Sequence, residues 1–232
     1  MHSVFHSLAH QVVLRDRRFA WAQVATYFLM GALALVLAWT QPVRAADDSA
    51  DAFIKRVSTE ILDTIKADKS IRSGDVQKIS TLVDQRVMPH VNFQRMTASA
   101  VGPGWRQASA EQQKRLQEEF KALLVRTYAG ALSQVSDQTI AVKPLRAAPD
   151  DKEVIVRTEV RGKGEPIQLD YRVEKSADAP AGWRIYNLNV MGIWLVDNYR
   201  SQFAQEVNAK GVDGLIASLA ERNQANRRAD AK

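Results

Sequence analysis

The chain has 232 residues with a formal net charge of +6, and no cysteine. That length suits one well-buried domain, and the lack of cysteine excludes disulfides, thiol nucleophiles and Cys-based metal sites. Residues 1–45 hold four Arg and one Asp, so the remainder carries 28 basic and 25 acidic residues, net +3, which takes away the main support for a nucleic-acid partner.

The first segment reads as a secretory signal peptide over residues 1–45. Arg15, Arg17 and Arg18 precede an apolar run from Phe19 to Trp39, and Val43-Arg44-Ala45 is a small-x-small cleavage pattern. An uncleaved membrane anchor is the alternative, because the run is long for a signal. His2, His6 and His10 have a helical metal-face spacing but fall in the part that cleavage removes.

The expected domain spans residues 46–224. Phe53, Ile54, Val57, Ile61, Leu62 and Ile65 give a helix over Asp51–Lys69, which Ser73-Gly74-Asp75 breaks. A second helix carries Val76 to Val87 and ends near Pro89; a third starts at Asn92 and stops at Gly102-Pro103-Gly104. Ser109 and Gln112 form a capping box for the longest helix, whose apolar stripe runs through Leu116, Phe120, Leu123, Leu124, Ala131 and Val135.

From Gln138 the period changes to two. Four strands are predicted at about Thr139–Leu145, Glu153–Arg161, Ile167–Lys175 and Trp183–Val190, joined by short turns and so antiparallel. In the fourth, Trp183 and Ile185 alternate to one side, and Tyr186, Leu188 and Val190 to the other. Either both faces are apolar or a bulge near Ile185 and Tyr186 switches the inward face. Helices over Ile193–Ala209 and Asp213–Asn223 follow, separated at Gly211, and residues 225–232 read as a disordered polar tail. The fold class is therefore α+β: a four-stranded antiparallel sheet covered on one face by helices. The uncharged run Leu188–Val196 suggests a thick core or an apolar cavity between the two layers.

Catalytic and metal signatures are sparse. His90 is the single histidine after residue 45 and has no nucleophile elbow to serve. Glu118-Glu119 and Asp150-Asp151 lack the apolar surround that would raise a carboxyl pKa. Asp170 sits on an outward strand face, where a cross-strand Arg157 or Arg172 accounts for it. No catalytic residue, metal ligand or cofactor is expected. A small hydrolase or isomerase built on Asp170 or His90 is the enzymatic alternative, and an adaptor anchored by residues 1–45 is another.

Several motifs, in order along residues 50–222, resemble the MlaC, or toluene-tolerance, family of periplasmic phospholipid-binding proteins. They are Val87-Met88-Pro89-His90 with Phe93; Gly104-Trp105-Arg106-Gln107; Leu123-Leu124-Val125-Arg126-Thr127-Tyr128; Pro166-Ile167-Gln168-Leu169-Asp170-Tyr171; Gly192-Ile193; and Asn198-Tyr199-Arg200-Ser201-Gln202-Phe203. The resemblance implies a monomeric periplasmic carrier with phospholipid as cargo. It would shuttle lipid between an outer-membrane lipoprotein–porin complex and an inner-membrane ABC-transporter complex. The acyl chains would lie in an apolar pocket walled by Phe93, Phe120, Leu124, Tyr128, Val156, Val160, Leu169, Tyr171, Val190 and Ile193. Met191 and Trp194 depart from the family pattern, which commonly has an acidic and a small residue there. They are expected to alter the pocket mouth, and they leave a hopanoid or other polycyclic lipid as alternative cargo.

Overall fold

The computed structural model describes residues 49–148, 150–179 and 181–230. The signal segment, its three histidines and Pro149 of the first predicted turn lie outside these residues.

Helix α1 (Ala50–Ala67) buries Phe53, Ile54, Val57 and Ile65 on one face. It stops two residues short of the expected Lys69, because Asp68 leaves the helical region at ψ 110°. The Asp68 carboxylate then accepts the Ser70 and Ile71 amides and starts α2 (Lys69–Arg72). Asp75 caps α3 (Val76–Leu82) in the same way. The chain continues as a π-helical turn over Val83–Val87 and a 3₁₀ turn over Met88–His90, where Pro89 has no N–H to give an α-helix.

Asn92 caps α4 (Phe93–Val101), and the short α5 (Gly104–Gln107) leads to α6 (Ala110–Ser133). The expected capping box is formed: Ser109 Oγ accepts the Gln112 N–H at 3.2 Å and Gln112 Oε1 accepts the Ser109 N–H at 2.8 Å.

The sheet is an antiparallel meander of five strands in sequence order: β1 (Thr139–Val142), β2 (Glu153–Arg161), β3 (Ile167–Lys175), β4 (Trp183–Val190) and β5 (Ile193–Trp194). Sequence periodicity gives four. The fifth, only two residues long, pairs Ile193 with Val190 and Trp194 with Asn189. The last helix therefore starts at Leu195 rather than Ile193. Met191 and Gly192 both have positive φ, 52° and 89°, as a two-residue type I′ hairpin turn requires. Asn189 Oδ1 accepts the Gly192 N–H at 2.8 Å.

The register between β3 and β4 shifts at Arg172/Val173, which pair with Asn187 and Ile185 and leave Tyr186 as the extra residue. This is the bulge that the apolar pattern of β4 allows, and it puts Trp183 and Ile185 on the same side as Leu188 and Val190. Beyond β5, Asn187 Oδ1 accepts the Val196 N–H at 3.2 Å and tethers the first turn of α7 (Leu195–Asp230) to β4. Gly211, at φ 71° and ψ −175°, breaks α7 where a helix boundary was expected. Helix continues to Asp230, into the stretch read above as a polar tail.

Candidate functional site

The inward face of the sheet divides into two zones. Where β2 begins and β3 ends, Val154, Val156, Tyr171, Val173 and Trp183 are buried against Phe53, Ile54 and Val57 of α1. At the opposite end the same face is open to different degrees: Leu169, Val160 and Val190 are half-buried, while Ile167 is 43% and Ile193 58% exposed.

A second apolar cluster lies among the helices. Phe120 of α6 is fully buried, stacked on Phe93 at 5.8 Å and edge-on to Tyr199 at 5.0 Å and Phe203 at 5.2 Å. Leu124 and Tyr128, one and two turns further along α6, pack against it half-buried, as do Leu188 and Val190 of β4. Leu188 touches both clusters. A seam between sheet and helices is thus bordered by Leu124 and Tyr128 on one side and Leu169, Leu188 and Val190 on the other. Burial, with a smaller effect of nearby Tyr199, raises the Tyr128 phenol above its ordinary value.

The ten expected wall residues fall into three groups. Leu124, Tyr128 and Val190 meet at the helical cluster, with Phe93 and Phe120 inside it. Val156, Leu169 and Tyr171 belong to the cluster under α1. Val160 and Ile193 lie toward the open end. Leu188, Tyr199 and Phe203 join the helical cluster although they are not among the ten expected wall residues. The bulge hid Leu188, since its inward direction follows only once Tyr186 is taken out of register.

Trp194 does not border the seam. It pairs with Asn189 in the ladder and so points to the opposite sheet face, under Arg172. Two surface clefts, of about 720 Å³ and 400 Å³, are lined mostly by polar side chains such as Gln112, Arg115 and Asp213 in the first and Asn92, Gln117 and Arg184 in the second. Neither is the apolar cavity expected between sheet and helices.

The titratable candidates are separated by the sheet. Asp170 is buried on the outward face, in register with Arg157, and its carboxylate accepts the Thr158 N–H at 3.3 Å and the Gln168 side-chain amide at 2.6 Å. His90 packs edge-on against Phe53 of α1, on the inward side, at 5.8 Å. Burial first, then the Arg56 charge, lowers its pKa. Among the described residues no group of three His, Asp or Glu side chains is placed to hold a metal ion, and no helix is long and apolar enough to cross a membrane.

The family model described as MlaC protein matches residues 55–221. The chain belongs to the MlaC family. Among its relatives is the intermembrane phospholipid transport system binding protein MlaC of Haemophilus influenzae, 23% identical over 176 residues, which cover 75% of this chain and 82% of that protein. The toluene tolerance protein ttg2D of Pseudomonas putida is 28% identical over 203 residues, 84% of this chain and 92% of that protein. Among solved structures, a phospholipid-binding protein from Ralstonia solanacearum, in complex with a phospholipid, superposes with a TM-score of 0.74 at 48% identity. It covers 78% of this MlaC-family chain and 99% of its own.

Proposed function

We propose that the protein is a non-enzymatic phospholipid carrier of the periplasm, exported by residues 1–45. It moves lipid between an inner-membrane ABC-transporter complex and an outer-membrane lipoprotein–porin complex and so maintains outer-membrane lipid asymmetry. The observation that carries this reading is the 48% identity, over 99% of its chain, to a protein solved with a phospholipid bound. The acyl chains take the seam between α6 and the open half of the sheet, with Leu124 and Tyr128 on one side and Leu169, Leu188 and Val190 on the other. Each methylene brought out of water there contributes about 0.8 kcal/mol.

A polycyclic cargo has less support than the sequence suggests, because Trp194 faces away from the seam. The hydrolase reading is weakened in the same way, since Asp170 lies on the sheet face away from the seam and His90 packs against Phe53 of α1.

The test is organic extraction of protein purified from an exporting host, followed by mass spectrometry. Phospholipid at near-stoichiometric level is expected, and a hopanoid would appear in the same spectrum. Protein free of any lipid would overturn the carrier reading.

A further inference from the structure

The described residues hold four exposed large apolar side chains, and three of them, Ile167, Met191 and Ile193, gather at one end of the sheet. Met191 is 70% exposed at the tip of the β4–β5 turn, with its N–H bonded to the Gln168 carbonyl beside Ile167 at 3.0 Å. It also holds φ 52°, a conformation that Asn or Gly adopts at lower cost than methionine. A methionine there costs stability and gives the fold no buried contact.

The exposure is graded. On the inward face it rises from buried Tyr171 through half-buried Leu169 and Val190 to open Ile167 and Ile193. An unbroken apolar track therefore leads from the interior to the tip. Resting on the carrier reading, we infer that the β4–β5 turn is a contact point for the surface of a phospholipid layer, with Met191, Ile193 and Ile167 entering its apolar edge.

Three side chains offer far less than the ~800 Å² per partner of a standard protein–protein interface, whereas a shallow apolar insertion needs only a few. The adjoining β2–β3 turn carries Lys163 and Glu165, which offset each other, while Arg161 shares the Glu159 carboxylate with Lys143, at 2.8 and 2.7 Å. With one net positive charge beside the turn, the attraction is mainly apolar and anionic lipid adds little to it.

The test is flotation with phosphatidylcholine vesicles. Wild-type protein floats with them, and added salt changes the bound fraction little. The double variant Met191→Asn/Ile193→Thr keeps turn and strand preferences, so its fold is retained, but its vesicle partition falls about tenfold. Ile155→Thr, on the opposite face, leaves partition unchanged. Wild-type protein that carries lipid yet ignores vesicles, or whose residue 191 crosslinks only to another protein, overturns the membrane contact and leaves the carrier reading standing. Lipid-free protein that floats normally does the reverse.

Discussion

The Arg172 guanidinium sits 4.1 Å over the Trp194 ring and lies 3.5 Å from Asp197 in the first turn of α7. Strand β3, strand β5 and the start of α7 are thereby joined on the sheet face away from the seam. Trp194→Ser removes the stacking surface, worth about 0.5–1 kcal/mol at a partly exposed site. Its thermal midpoint is expected to drop by a few degrees, while the lipid recovered by mass spectrometry keeps the wild-type composition. A changed cargo would show that Trp194 acts on the mouth after all.

Arg95 of α4 reaches Glu153 at 2.8 Å, contacts Glu174, and stacks on Tyr186 at 3.7 Å. The Tyr186 hydroxyl donates to Glu153 at 2.8 Å. This cluster fastens α4 to the bulged end of the sheet. Arg95→Ala leaves the largely buried Glu174 without its cation and is expected to cost ~1–3 kcal/mol in denaturant unfolding, discounted for the exposure of Glu153. Arg95→Lys recovers only part, since an ammonium lacks the planar fork and the stacking face. Full rescue by Lys would contradict that account.

His90 gives a pH dependence of known sign. Burial against α1 is the main cause that lowers its pKa below 6.5, and the Arg56 and Arg184 charges lower it while Glu60 opposes them. The folded protein therefore takes up the proton more weakly than the unfolded chain. The stability held by neutral His90 is complete above pH 6.5 and drains as pH falls from 6.5 through the lower folded value. Thermal melts between pH 7.5 and 5 should show a steeper loss for wild type than for His90→Gln. Parallel curves would assign the acid loss to carboxylates alone.

Tyr171 titrates at the other extreme. Burial beneath α1 is the main cause pushing its phenol from 10 up to about 12, with the hydroxyl 3.2 Å from Ser58 Oγ. The folded state holds the proton more tightly, so this contribution is full below pH 10 and is lost as pH rises from 10 to 12. In an ultraviolet titration, native wild-type protein and Tyr171→Phe are expected to show the same phenolate absorbance at pH 10.5. They should separate by one tyrosine only after denaturation. One tyrosine's difference in the native state would mean that Tyr171 ionises without unfolding.

Much of this fold can be read from periodicity and punctuation. The capping box at Ser109, the break at Gly211 and the bulge at Tyr186 each have a local cause that the sequence carries. Strand β5 was not legible because two residues cannot display a period of two. That short strand also decides which side Trp194 takes, so its place on the face away from the seam was hidden together with the fifth strand. The site was legible in part. Face assignment brings Leu124, Tyr128 and Val190 to one cluster, but only tertiary packing says that α1 seals Val156 and Tyr171 while Ile193 stays in solvent.

The isolated parallel bridge between Val91 and Ile185, with the Asn92 N–H bonded to the Ile185 carbonyl at 2.8 Å, has a consequence for self-association. Strand β4 would otherwise end the sheet with a row of unpaired amides and carbonyls, a template for adding a strand from a second molecule. Val91 occupies that edge beside the bulge and β5 occupies it beside the hairpin turn. At the other edge, β1 offers a ladder of only four residues. A protein with apolar side chains in the open at one end of its sheet is thus guarded along β4, the edge nearest those side chains, against adding a strand from a second copy.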